Sequence, residues 1–171
     1  MIKLIGAVMV ISVTCAWGFG GIVRLRNHVK TLEGFLTAFE IMKSEICERL
    51  CPMPELMKLL GETVSWPTRN FFKSVGKKLP ELGTMSFPVI WKKAAEACGD
   101  IVLSEAELAV LAELGHSLGR YDVDEQRRAI TLAQRRLEMF LRKAEAKREH
   151  DTKLRAFTGM ASGVFAVIIL L

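Results

Sequence analysis

The chain is predicted to fold as an all-α protein: a cytoplasmic bundle of about six helices flanked by transmembrane helices at the N- and C-termini. Three observations predict it. Charge is missing from both ends, since Leu4 to Val23 and Ala156 to Leu171 hold no Lys, Arg, Asp or Glu. Every charged residue except Lys3 lies between Arg24 and Arg155. In that middle part apolar residues recur with helical period, and nothing alternates with period two for long enough to be a strand. The expected division is 1–23 as a transmembrane helix, 24–155 as a cytoplasmic helical bundle, and 156–171 as a second transmembrane helix.

The first run holds twenty residues, about 30 Å of helix at 1.5 Å per residue, which matches one hydrocarbon thickness. Gly6, Ala7, Gly18, Gly20 and Gly21 permit close helix contact there. A cleaved signal peptide is the rival reading, because Lys3 supplies a basic start and Gly18-Phe19-Gly20 a small-x-small site. The length of the run and a second run at the other end favour an uncleaved span. The C-terminal run reaches about 24 Å, so Lys153 and Arg155 would snorkel to the interface. Arg24, Arg26 and Lys30 follow the first run, and Arg142, Lys143, Lys147, Arg148, Lys153 and Arg155 precede the second. The positive-inside rule then puts the whole body in the cytoplasm, with its basic flanks against anionic membrane lipid.

The first helix of the body is expected to bury Val29, Leu32, Leu36, Phe39, Ile46 and Leu50, and to end at Cys51-Pro52-Met53-Pro54. A short helix follows over about Glu55 to Gly61. Pro67 reads as the first residue of a third helix, which buries Phe71, Phe72, Val75 and Leu79 before Pro80 stops it. Ser86-Phe87-Pro88 opens a fourth, with Val89, Ile90, Trp91 and Ala95, ending near Gly99. Ser104-Glu105-Ala106-Glu107 is a capping box. The helix it starts carries Leu108, Leu111, Leu114 and Leu118 on one face. Asp122 with Glu125 caps a long sixth helix with Val123, Ile130, Ala133, Leu137, Phe140 and Ala144 as its seam. Short links argue for neighbouring helices packed as hairpins.

Composition narrows the function. The net charge of +5, with both signs interspersed, suits a solvated surface near anionic lipid and is too weak to argue for nucleic acid. Cys15, Cys47, Cys51 and Cys98 form no disulfide framework, and no His stands near the Cys47/Cys51 pair in sequence. Gly115-His116-Ser117-Leu118-Gly119 lacks the ending of a phosphate loop and follows no strand. Its glycines read instead as a close helix approach and a C-cap. Acidic residues fall at helix spacing and read as solvated faces with partners such as Glu138 with Arg142. No catalytic residue, metal site or cofactor is expected. A regulatory or sensor adaptor anchored in the membrane is one rival function, and would need a pocket of convergent polar groups. A metal-assisted hydrolase is another, and would need Glu-x-x-His on two facing helices.

One segment resembles a known family. Leu111, Leu114, Gly115, Leu118, Gly119, Asp122 and Gln126 follow L-x-x-L/F-G-x-x-L-G-x-x-D-x-x-x-Q, the signature of the stage III sporulation protein AB family. The opening Met1-Ile2-Lys3-Leu4-Ile5-Gly6-Ala7, Gly18-Phe19, the stretch from Leu36 to Ile46, Pro52-Met53-Pro54-Glu55-Leu56, Trp91 and the terminal apolar run are similar to it as well. Cys51 departs from the usual Thr, and Gly20-Gly21-Ile22 is richer in glycine than usual. The resemblance implies a membrane component of a channel-like, secretion-like complex between mother cell and forespore, placed in the mother-cell membrane around the forespore. Its body would be similar to the cytoplasmic domains of type II secretion platform proteins. The implied partners are other stage III sporulation proteins, including a secretion-type ATPase, and a homo-oligomer is compatible with it. The corner from Gly115 to Gln126 is the candidate site: Gly115, Gly119 and Asp122 as its structural turn, and Arg120, Tyr121 and Gln126 exposed together to dock a partner.

Overall fold

The computed structural model describes the backbone of residues 2–118 and 122–170, and the side chains of 23–118 and 122–149. These described residues form six α-helices, α1 (Ile2–Cys47), α2 (Met53–Thr63), α3 (Thr68–Lys78), α4 (Phe87–Ala97), α5 (Glu105–Ser117) and α6 (Val123–Leu170), with one 3-10 turn at Leu79–Glu81. Among the described residues no strand occurs. The chain divides into two compact units, one from Asn27 to Arg142 and one made of Met1–Arg26 with Lys143–Leu171. The expected spans 1–23 and 156–171 fall within the second unit, and residues 1–22 and 150–171 lie outside the described side chains. Among the described residues no helix is long and apolar enough to cross a membrane.

The unit from Asn27 to Arg142 is built around an aromatic cluster. Phe35 and Phe39 of α1, Phe71 and Phe72 of α3, and Trp91 of α4 are fully buried. Trp91 stands edge-on to Phe71, with ring centroids 4.8 Å apart and planes at 88°. Phe35 meets Phe71 at 5.3 Å and 64°. Such edge-to-face pairs contribute about 0.5–1.5 kcal/mol each beyond the area they bury. Leu56, Met57 and Leu60 of α2 close the cluster from the side of α3.

The buried face of α1 holds Val29, Leu32, Phe39 and Ile46 as expected, with Phe35 in the place expected for Leu36. Met42 is buried with them, whereas Leu36 is only half-buried. Thr31 is also fully buried, because other elements approach this helix on more than one side: Thr68 Oγ1 of α3 donates to the Thr31 carbonyl, and the Val102 amide donates to Thr31 Oγ1. Leu50 does not belong to the stripe. The helix ends at Cys47, Leu50 takes a left-handed conformation with φ 51°, and its side chain is 69% exposed. The Cys51 amide then donates back to the Glu45 carbonyl at 2.9 Å. Pro52 forces this early exit, since the residue before a proline is driven out of helical geometry.

Other boundaries differ by a residue or two. α2 begins at Met53 and runs to Thr63, longer than expected at both ends. Pro67 is the N-cap of α3 and not its first residue. On α5 the buried positions are Glu107, Val110, Leu111, Leu114 and Gly115, expected Leu118 at its C-cap is buried too, and Leu108 is only half-buried. On α6 Ile130, Ala133 and Leu137 are buried as expected. Val123 and Phe140 are half-buried, and Gln126 takes a core position instead.

Candidate functional site

The expected site is the corner where α5 hands over to α6. Its first part is a helix interior, not a turn. Gly115 lies within α5 and is buried against α4. A Cβ there would come within 2.6 Å of Trp91 Cδ1. The missing side chain lets the indole lie on the α5 backbone, where Trp91 Nε1 donates to the Leu111 carbonyl at 2.9 Å. The expectation that this glycine permits a close helix approach therefore holds.

At the far side of the corner, Asp122 Oδ1 accepts from the amides of Asp124 at 2.9 Å and Glu125 at 3.2 Å. That is an N-cap, so Asp122 starts α6 as its position predicts. Gln126 is not exposed. It retains 7% of its surface because it sits on the inward face, four residues before Ile130. It cannot form an exposed patch with its neighbours. Gly119, Arg120 and Tyr121 lie outside the described residues.

A polar cluster that the sequence does not announce ties α1 to α5. His28 Nε2 lies 2.9 Å from both carboxylate oxygens of Glu107. The Ser104 amide donates to Glu107 Oε2 at 2.7 Å, and Ser104 Oγ accepts from the Glu107 amide, completing the capping box. Burial pushes the Glu107 carboxyl up. The hydrogen bonds from His28 and Ser104, with the charge of His28, outweigh burial and hold the carboxyl below its ordinary value. Serine, histidine and glutamate meet here, but not as a nucleophile and its base. The Ser104 hydroxyl is engaged by the backbone, and His28 Nε2 is turned to Glu107. The arrangement fastens two helices.

Elsewhere polar groups brace helix pairs. Arg136 of α6 pairs with Glu113 of α5. Asn70 of α3 donates to Asp100 in the link after α4 at 2.6 Å. Glu113 and His116 stand in the Glu-x-x-His spacing of a carboxylate–histidine metal site. Glu113 is spent on Arg136, however, and His116 Nδ1 hydrogen-bonds the Ala112 carbonyl. The chain holds no second such pair. Among the described residues no three His, Cys, Asp or Glu side chains gather as metal ligands. Cys47, Cys51 and Cys98 are free and half-buried. Burial raises the Cys98 thiol above its ordinary range, which favours an unreactive protonated sulfur. Among the described residues the pairing expected between Glu138 and Arg142 is not formed, whereas Glu45–Arg49 and Lys92–Glu96 pair within single helices.

Two shallow grooves flank α5. One, of about 250 Å³, lies toward α4 and is lined largely by apolar side chains, among them Trp91, Ala95, Leu108 and Ala112. The other, of about 230 Å³, lies toward α6 and mixes Val110, Leu114 and Leu132 with Glu113, Glu125, Arg128 and Arg136. Both are open grooves and not enclosed cavities.

Comparison with known proteins places this helical arrangement. The family model described as stage III sporulation protein AB matches residues 3–171. A protein of that name from Bacillus subtilis (strain 168) is 23% identical over 172 residues, covering 100% of both chains. A solved structure titled stage III sporulation protein AB superposes with a TM-score of 0.66 at 22% identity, over 72% of this chain and 98% of that one. Since the family match runs through the body and both charge-free ends, the chain belongs to the stage III sporulation protein AB family.

Proposed function

We propose that the chain is a component of a sporulation complex and acts there as a membrane-tethered platform. Residues 1–23 and 156–171 anchor it in the mother-cell membrane around the forespore. The helical body faces the cytoplasm and docks a secretion-type ATPase and other stage III sporulation proteins. The observation that carries this reading is the end-to-end family match, which includes the two charge-free runs and their basic flanks. The family and the relative are named for sporulation and for no reaction. A bundle whose buried polar groups brace helices, with shallow grooves outside, suits holding partners.

Two measurements test it. Single-cysteine variants in a cysteine-free background, with the probe at Lys92, should be labelled by an impermeant maleimide only after the membrane is opened. Labelling of intact cells overturns the topology. Solubilised membranes from sporulating cells should yield the ATPase together with the tagged full chain. Its absence, with the chain present at normal level, overturns the platform.

A further inference from the structure

We infer that the outward face of α6, with the α5–α6 groove beside it, binds an acidic amphipathic helix of a partner protein. Arg128, Leu132, Arg135, Met139 and Arg142 follow one another at spacings of four, three, four and three, which puts them on one side of the helix. Ile130, Ala133 and Leu137 point the other way, into the core. All five of the outward residues are exposed, Leu132 at 45% and Met139 at 58%. Two large apolar side chains seven residues apart repeat the seam of a coiled coil. Here the seam is presented to solvent between three arginines.

Charge decides the kind of partner. Among the described residues none of the three arginines has an ion-pair partner, whereas neighbouring Arg136 is held by Glu113. Asp124 stands one turn before Arg128 on the same side and Glu125 lines the groove, while Glu138 adjoins the stripe toward Arg127; from Arg128 to Arg142 the stripe itself holds three arginines and no acidic residue. Shape decides against a lipid surface. Leu132 also forms the lip of the 230 Å³ groove, whose other wall is Val110 and Leu114 of α5. A bilayer face is flat and leaves such a concavity empty. A helix with apolar residues at matching spacing can set one into the groove, lay others along Leu132 and Met139, and place carboxylates opposite the arginines.

This deepens the platform reading by naming the chemistry of a docking segment, and it rests on that reading only in expecting a protein partner. The test uses the full chain in its own membrane, with a benzophenone amino acid at position 139 and, as control, at exposed Lys58 on α2. Light should give a position-139 adduct that maps, by mass spectrometry, to a helical segment with carboxylates flanking apolar residues. Arg128→Glu with Arg135→Glu should lower its yield tenfold or more and leave the position-58 signal unchanged. Raising salt should lower the position-139 yield in the otherwise unaltered protein, a readout that needs no charge variant to fold. An adduct on lipid, on a second copy or on a segment without acidic residues overturns the inference. So does a yield no higher than the control, or one indifferent to both salt and charge reversal. Failure of the ATPase to co-purify while this adduct forms would overturn the platform and leave the docking surface standing.

Discussion

Gly34 and Gly115 each let two helices touch, against opposite chemistry. Gly34 of α1 faces Thr68 of α3, where an added Cβ would lie 2.4 Å from Oγ1 and 2.9 Å from Cβ. Gly115 of α5 faces the indole of Trp91, at 2.6 Å from Cδ1 and 2.9 Å from Cγ. The first obstacle is short, β-branched and fully buried, and its hydroxyl is already bonded to the Thr31 carbonyl. The second is a large ring that supplies much of the core and also donates to the Leu111 carbonyl. Close approach at α1–α3 therefore protects a side-chain-to-backbone hydrogen bond. At α4–α5 it protects an aromatic cluster as well.

The largest effect should come from the aromatic side of that comparison. Trp91→Ala should cost about 3–5 kcal/mol, as for other buried tryptophans, measured by chemical unfolding of the solubilised chain. Gly115→Ala alone should cost about 1–3 kcal/mol through overpacking. In the Trp91→Ala background the same change should cost nothing, or gain up to about 1 kcal/mol from helix propensity. Additive losses would show that Gly115 is not there for the indole.

Gly34→Ala sharpens the other side. It should also cost about 1–3 kcal/mol, because neither Thr68 nor the α1 backbone has room to move. Thr68→Ala removes the nearer obstacle at the expense of the bond to Thr31. The double variant should then be less destabilised than the sum of the two single changes. A full sum would mean that the crossing yields elsewhere.

The last test concerns the link between the two regions, His28 with Glu107. Glu107→Gln should cost about 1–3 kcal/mol at neutral pH, since it weakens charge-assisted bonds in a buried place. The Glu107 carboxyl is held below its ordinary value of 4.5 in the fold. Its contribution is therefore complete above the unfolded value and is lost as the pH falls through the folded one. Acidification from about pH 6 to pH 3 should cost the original chain more stability than the Gln variant. Equal losses would place the acid sensitivity on other carboxylates.

Legibility followed the range of the interaction. The capping box at Ser104 and Glu107 and the N-cap at Asp122 are contained within a few residues, and both form as read. Gly115 was noticed because it sits in a dense pattern, yet its partner Trp91 lies far back in the chain. Gly34, between Glu33 and Phe35, carried no local signal, and its obstacle comes from another helix. Gln126 departs from its expected place for a related reason. An amide beside Arg127 and Arg128 looks solvated, but helical phase puts it on the side of Ile130. Leu50 failed in the opposite sense: periodicity extended the stripe past the point where Pro52 had already ended the helix.

By itself the sequence determined the helical class, the number of body helices, the caps and the two charge-free ends, because helical period, proline and charge act over one or two turns. Only the tertiary structure decided that Phe35 and not Leu36 goes inward on α1, that Glu107 and Val110 and not Leu108 do so on α5, that His28 meets Glu107, and that Trp91 rests on Gly115. It also decided that Leu132 and Met139 stay outside while Gln126 goes in. The physical reason is rotation. Turning a helix by one residue moves each side chain by about 100°, and the final angle is set by the volumes of neighbours distant in the chain.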